Sequence, residues 1–265
     1  MIDSSTGPKG QAQVKLGRRR LIALVVFVGA ALALVAAGVG AQSSPAAPPE
    51  LNRQGAAREL RLLTGNVSLT ASKGQCASAF TCFNCQNEVL DLDSLTVHVD
   101  VPGNRNGATF GRGCLGTVRR LVVTTVAQDA VRVSGATNMT IGGPGSSIRC
   151  NTASSQPSQD GIQVTNGSNI TFTGIDVGCT SGTHGQLFIN SIGNGIPDDV
   201  IFERGKLEPN PAHVNNVVIG TSIYSGVRDS TICPTRRPSP VLIRPTAVHP
   251  LNERNQTPVS CSGTG

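Results

Sequence analysis

The sequence predicts an all-β fold, a parallel β-helix built as a single-stranded solenoid with three strands per coil, preceded by a hydrophobic export segment. Two observations carry the solenoid. First, Asp129-Ala130-Val131-Arg132-Val133 returns as Asp160-Gly161-Ile162-Gln163-Val164 at an offset of 31, and Asn138-Met139-Thr140-Ile141 returns as Asn169-Ile170-Thr171-Phe172 at the same offset. Ile148-Arg149-Cys150 then returns as Val177-Gly178-Cys179, slipped to an offset of 29. Second, each copy holds three short alternating runs separated by Gly, Asn and Ser, the pattern of strands joined by turns. Self-similarity at a period of a few tens of residues marks a solenoid, and three strands with small polar corners make it a parallel β-helix. The composition agrees: 31 Gly, seven Phe, one Tyr and no Trp suit a narrow interior of Val, Ile and Leu with tight corners.

The export segment comes first. Arg18-Arg19-Arg20 precedes an uncharged run over 21–41, and Val39-Gly40-Ala41 fits the small-x-small site of a signal peptidase, giving a mature start at Gln42. The run is also near the roughly 20 residues that span a bilayer, so an uncleaved anchor is the alternative. Either way the positive flank stays inside and the rest lies outside, secreted or anchored; any membrane contact is through residues 21–41. Most of the formal charge of +6 belongs to residues 1–41, which carry five basic side chains and one acid, whereas the residues beyond 41 carry 17 basic and 15 acidic side chains. No basic stripe interleaves with aromatics, which argues against a nucleic-acid partner.

Residues 42–55, with Pro45, Pro48 and Pro49, read as an extended linker. The β-helix is expected over 56–233. Its first part, 56–88, reads as a cap over the open end of the stack, with a short amphipathic helix over 56–63. Further strands are expected within 89–101, 107–110, 117–125 and 129–133. Beyond the repeat, 185–189, 199–202, 216–219 and 226–233 continue the coils, giving five to six in all. Residues 234–265, rich in Pro and without periodicity, read as an irregular tail.

Eight cysteines in an exported chain imply disulfides. Cys82-Phe83-Asn84-Cys85 has C-x-x-C spacing but lacks the second pair or His that would complete a zinc site. Cys150 and Cys179 end equivalent strands on successive coils, about 4.8 Å apart, so they are expected to be bridged. Cys233 and Cys261 would tie down the tail, leaving Cys76, Cys82, Cys85 and Cys114 to share the N-terminal bridges in an open pairing.

Three stretches, Gln159-Asp160-Gly161-Ile162-Gln163, Ile170-Thr171-Phe172 and Tyr224-Ser225-Gly226-Val227-Arg228-Asp229-Ser230-Thr231-Ile232-Cys233, resemble right-handed parallel β-helix proteins of the pectate-lyase-like superfamily. The resemblance covers roughly residues 80–261 and is closest to short exported β-helix proteins of actinobacterial type. It implies a right-handed coil and a site on an exposed sheet face walled by corner loops. It leaves the activity open, since the superfamily includes lyases, hydrolases, epimerases and non-catalytic adhesins.

Period-two parity places Val131, Val133, Ile162, Val164, Leu187 and Ile189 inside. Arg132, Gln163, Gln186 and Phe188 then line one outer face as candidate substrate-binding residues. Asp129 and Asp160 begin adjacent strands there, and the loop carrying His184 enters the next coil; these three are the candidate catalytic residues. Two carboxylates one coil apart can form an acid–base pair at separations glycosidases use, or can accept backbone N–H bonds at a turn. Gln159-Asp160-Gly161, Thr183-His184-Gly185 and Arg204-Gly205-Lys206 follow an order similar to the motifs of polygalacturonases, although Asn-Thr-Asp is missing and Asp160 is followed by Gly161. Asp198-Asp199 is a pair that reads as turn capping. An eliminating enzyme would instead draw its base from Arg132, Arg149 or Lys206. No dense acidic cluster indicates calcium, and no cofactor or metal is expected. The scarcity of Tyr and Trp argues against an aromatic sugar platform. The expected function is to act on or bind a polysaccharide, as a hydrolase or lyase; the alternative is a non-catalytic envelope or adhesin-like module.

Overall fold

A computed structural model of the chain describes residues 60–71, 81–101, 106–125, 128–150, 160–179, 185–193, 195–209, 215–235 and 239–261. The export segment, the linker, Cys76 and His184 lie outside the described residues. The described strands are β1 (Arg61–Thr70), β2 (Thr81–Cys85), β3 (Glu88–Val99), β4 (Asn106–Phe110), β5 (Leu115–Val118), β6 (Leu121–Thr125), β7 (Val131–Cys150), β8 (Ile162–Cys179) and β9 (Leu187–Ile189). They continue with β10 (Pro197–Glu203), β11 (Lys206–Leu207), β12 (Val217–Ile219), β13 (Ser222–Ile223), β14 (Gly226–Arg228), β15 (Thr231–Ile232), β16 (Val241–Ile243), β17 (Ala247–Val248) and β18 (Leu251–Glu253).

These strands wind into a parallel β-solenoid of about 6 turns. Three columns of stacked strands form its faces. Face A runs through β2, β4, the starts of β7 and β8, β9, β12 and β16. Face B runs through the first half of β1, the first part of β3, β5, the middles of β7 and β8, then β10, β14 and β18. Face C runs through the remaining halves of β1 and β3, β6, the ends of β7 and β8, then β11 and β15. Sequence repeats become spatial neighbours: Val131 pairs with Ile162, Ile141 with Phe172 and Ile148 with Val177.

Alternation makes the core. On face B, Leu92, Val118, Ile141, Phe172, Phe202 and Val227 stack coil upon coil, each fully buried. Face C contributes Val97, Val123, Ile148, Val177, Leu207 and Ile232 in the same way. Each such side chain contributes about 1.5–3 kcal/mol relative to exposure. The chain returns to each face after passing through the other two, which supplies the crossover that parallel strands need, and the corners make that return.

Two expectations about the ends are corrected. The stretch read as a cap, with a helix up to Leu63, is strand over Arg61–Thr70 and pairs in parallel with β3 along its length. Leu63, Val67 and Leu69 alternate inward against the core, and a register shift at Gly65/Asn66 turns the corner. A 3.6-residue stripe ending at Leu63 was the wrong period. Likewise the supposed irregular tail carries β16, β17 and β18, which stack on β12, β13 and β14. Its prolines stand between strands, at Pro240, Pro245 and Pro250, where no ladder N–H is lost.

Disulfides clamp successive coils. Cys150 and Cys179 are bridged as expected, at paired positions with Cα atoms 4.3 Å apart, and so are Cys233 and Cys261. The N-terminal pairing left open includes Cys85–Cys114, so the two cysteines of C-x-x-C are not joined to each other; Cys82 is itself disulfide-bonded. Separations of 28 and 29 residues correspond to roughly one coil, and closing loops of that length removes about 3–4 kcal/mol of unfolded-chain entropy each. Such bridges suggest an oxidising environment.

Candidate functional site

Asp129 and Asp160 lie where face C turns into face A, two residues before their strands. Asn106, Gly185, Asn215 and Ser239 occupy the same position on other coils, as the strand register requires. Both aspartates are buried, at 1% and 0% exposure. Asp129 Oδ1 accepts the Asp160 N–H at 3.0 Å, and Asp160 Oδ1 accepts the Gly185 N–H at 3.1 Å. Asp160 Oδ2 accepts a bond from Gln163 Nε2 at 3.1 Å. Each carboxylate therefore holds the backbone of the following coil. The residue after Asp160 must be small here: a Cβ on Gly161 would sit 2.5 Å from Val177 Cγ1 and 2.6 Å from the Gln186 carbonyl.

The outer row of face A runs Asn84, Thr109, Arg132, Gln163, Phe188, Val218 and Leu242, one residue per coil. Three of the four expected binding residues, Arg132, Gln163 and Phe188, thus stack as neighbours. Only Arg132 is partly exposed; Gln163 and Phe188 are 6% and 3% exposed. Gln186 is a correction. It was placed outside by parity but is fully buried, with Oε1 accepting the Cys179 N–H at 2.9 Å and Nε2 donating to the Cys179 carbonyl at 3.2 Å. Parity holds within a strand, and Gln186 stands in the corner before β9, where the chain bends and resets it.

Of the three stretches similar to polygalacturonase motifs, His184 lies outside the described residues, and the described members of the other two stand at different corners. Asp160 is at the C-to-A corner, whereas Arg204 is at the B-to-C corner on a left-handed backbone with φ 54° and is ion-paired to Glu203. Lys206 follows on face C, in register with Asp176 and Thr231. Arg149, also on face C, reaches over Gly178 to Glu208 at 3.1 Å. A Cβ on Gly178 would lie 2.5 Å from Glu208 Oε2, so glycine makes room for this bridge across two coils.

Two adjoining hollows open on the outer side of face A and along its corner with face B. The first is lined by Asn84, Gln86, Asn106, Thr109, Arg112 and Arg132, among others. The second is lined by Arg112, Thr137, Asn166, Ser168, Ile196 and Asp198, among others. Arg112 and Ser134 belong to both, so the hollows form one groove crossing successive coils. Arg119, Arg149, Arg204, Arg228 and Arg254 are each ion-paired to carboxylates. Arg112 and Arg132 have no carboxylate partner among the described residues. Beside them Asn106 Oδ1 is buried with no hydrogen-bond partner, while its Nδ2 donates to Thr109 Oγ1 at 3.4 Å. The groove therefore offers two guanidinium groups without a carboxylate partner among the described residues, together with several hydroxyls and amides. Among the described residues no three His, Cys, Asp or Glu side chains gather as a metal site.

Sequence reasoning found Arg132 but missed Arg112, Asn84, Asn106 and Thr109. The signal was the coil register upstream of Asp129, where the repeat is too worn to align by eye: Asn84, Thr109 and Arg132 share one outward position, yet nothing in their chemistry advertises it. No family model matches the chain, and no curated protein or solved structure matches it. The chemistry of the groove rests on its own residues.

Proposed function

We propose that the protein is an exported, disulfide-clamped right-handed parallel β-helix of pectate-lyase-like type that binds an acidic polysaccharide in the groove across faces A and B, as a binding module and not a hydrolase or lyase. The observation that carries this reading is the pair of guanidinium groups, Arg112 and Arg132, without a carboxylate partner among the described residues, in a groove otherwise lined by neutral hydrogen-bonding side chains. A guanidinium fork suits carboxylate or sulfate in bidentate geometry, and Ser, Thr, Asn and Gln side chains match sugar hydroxyls. The lattice of coils, about 4.8 Å apart, lets a linear polymer meet a repeated set of donors. Against catalysis stand the tasks of the expected acids. Asp129 and Asp160 are buried in the corner and engaged with backbone N–H groups. Export is supported by the three disulfides and by the basic-then-apolar N-terminus.

The test is a panel of acidic and neutral polysaccharides incubated with the purified protein, following bound polymer, new reducing ends and absorbance of unsaturated products together. Retention of acidic polymers with neither new ends nor absorbance is the expected result. Turnover of any polymer that disappears in Asp160→Asn would replace the binding reading with the enzymatic one.

A further inference from the structure

We infer that the groove continues along the A-to-B corner into a stacking subsite made by Tyr224 and His249, and that the polymer it reads alternates acidic with neutral sugars. This rests on the polysaccharide reading above and sharpens its ligand. The strand register sets the continuity. Thr137, Ser168, Asp198, Ile223 and Val248 are stacked neighbours on successive coils. The groove's lining ends at Ile196 and Asp198; the next two coils add Ile223 with Tyr224, then Val248 with His249.

The backbone at this corner is left-handed on every one of these coils, with φ 52° at Asn138, 52° at Asn169, 51° at Asp199, 45° at Tyr224 and 49° at His249. Asn, Asp and His suit that conformation, whereas a bulky side chain such as Tyr is an outlier there. The chain nevertheless places Tyr224 at it, next to His249. They stack face to face, centroids 4.9 Å apart and planes within 6°, a separation close to the coil spacing of about 4.8 Å. The two rings are therefore stacked on successive coils at this corner, and Asp199 holds the same position on the coil before Tyr224. Tyr224 is 53% exposed, in a strip with Val248 at 48% and Ile196 at 47%. An exposed ring flanked by aliphatic side chains offers the flat apolar surface that the C–H face of a sugar ring fills.

The order of charges selects the polymer. Arg132 in the first hollow and Arg112, shared by both hollows, attract an acidic sugar. Asp198, the acid in the groove's lining, and the adjacent Asp199 repel a second acid but accept hydrogen bonds from neutral sugar hydroxyls. A sugar resting on Tyr224 must pass these two carboxylates, so it is a neutral one. A polymer made only of uronic acid would bring like charges together there.

The chain has one Tyr and no Trp, so its tyrosine emission reports on Tyr224 alone. The full-length protein would be titrated by calorimetry and by tyrosine emission in parallel. The probes are oligosaccharides alternating a uronic acid with an N-acetylhexosamine, oligogalacturonates of equal length and neutral gluco-oligosaccharides. The inference expects the alternating oligomer to bind about tenfold more tightly than the all-uronate one, and to change the emission with the same midpoint as the heat. Tyr224→Asn, which suits the left-handed backbone as Asn138 and Asn169 do, is expected to keep the fold and weaken the long alternating oligomer about tenfold while leaving its disaccharide unaffected. Binding that leaves the emission unchanged, or equal affinity for all-uronate oligomers, overturns the inference and leaves the acidic-polysaccharide reading intact. Absence of heat with every acidic probe overturns both.

Discussion

A carboxylate beside a strand can be a catalyst or a clamp, and the bonds described at Asp160 are those of a clamp. Its two oxygens take the Gly185 N–H and the Gln163 amide inside a fully buried corner. Asp160→Ala leaves that N–H without its acceptor, and a buried unsatisfied donor costs about 1–3 kcal/mol. The variant is therefore expected to melt at lower temperature while binding acidic oligosaccharide as the wild type does; a variant of unchanged stability that no longer binds would return Asp160 to the ligand site. Sequence could name this residue but not its role, because Asp serves turns and catalysis with the same atoms. Gln186 shows a different limit. Alternation put it outside, and a corner bend that no periodicity encodes turned it in. Arg112 carried no motif at all; only the fold brings it beside Arg132.

Among elements, strands with strong alternation were legible and corners were not. β7 and β8 were visible as a repeat because their inward Val and Ile recur in step. β16 to β18 were hidden by prolines that sit between short strands, and β1 by its resemblance to a helical stripe. The C-terminal coils also carry a charge pattern unseen in the sequence. Glu203, Arg228 and Glu253 stack on face B, and Arg204, Asp229 and Arg254 stack beside them at the corner. Glu203 accepts two bonds from Arg228, at 2.9 and 2.8 Å, and Arg254 grips Asp229 at 2.5 and 2.7 Å. The hydrogen bonds from the Arg254 guanidinium, assisted by its charge, hold the Asp229 carboxyl below its ordinary 3.8. A folded value below the unfolded one means the pair adds stability above the unfolded value, near pH 4, which is lost as pH falls through the folded value. Thermal melts should show Asp229→Asn below the wild type at neutral pH, with the gap closing as pH falls below the ordinary carboxylate range and through the lowered folded value. A gap that persists in acid would show that the asparagine harms packing instead.

At the largest scale the described residues combine a stack of coils, bridges between neighbours and a groove whose two arginines have no carboxylate partner among them. Class of fold was readable because a solenoid repeats its core in the sequence. The proposed site was not, because the groove draws single residues from several coils, and only the fold shows which of their charges lack a partner among the described residues. The acidic-polysaccharide reading therefore stands on Arg112 and Arg132. The most direct measurement is the affinity of Arg112→Ala, Arg132→Ala and the double variant for an acidic oligosaccharide, beside the wild type and with melting checked for each. Losing one charge-assisted contact costs about 1.5–3 kcal/mol, so each single variant should bind at least tenfold more weakly, and added salt should narrow the difference. Folded variants that bind as tightly as the wild type would contradict the account.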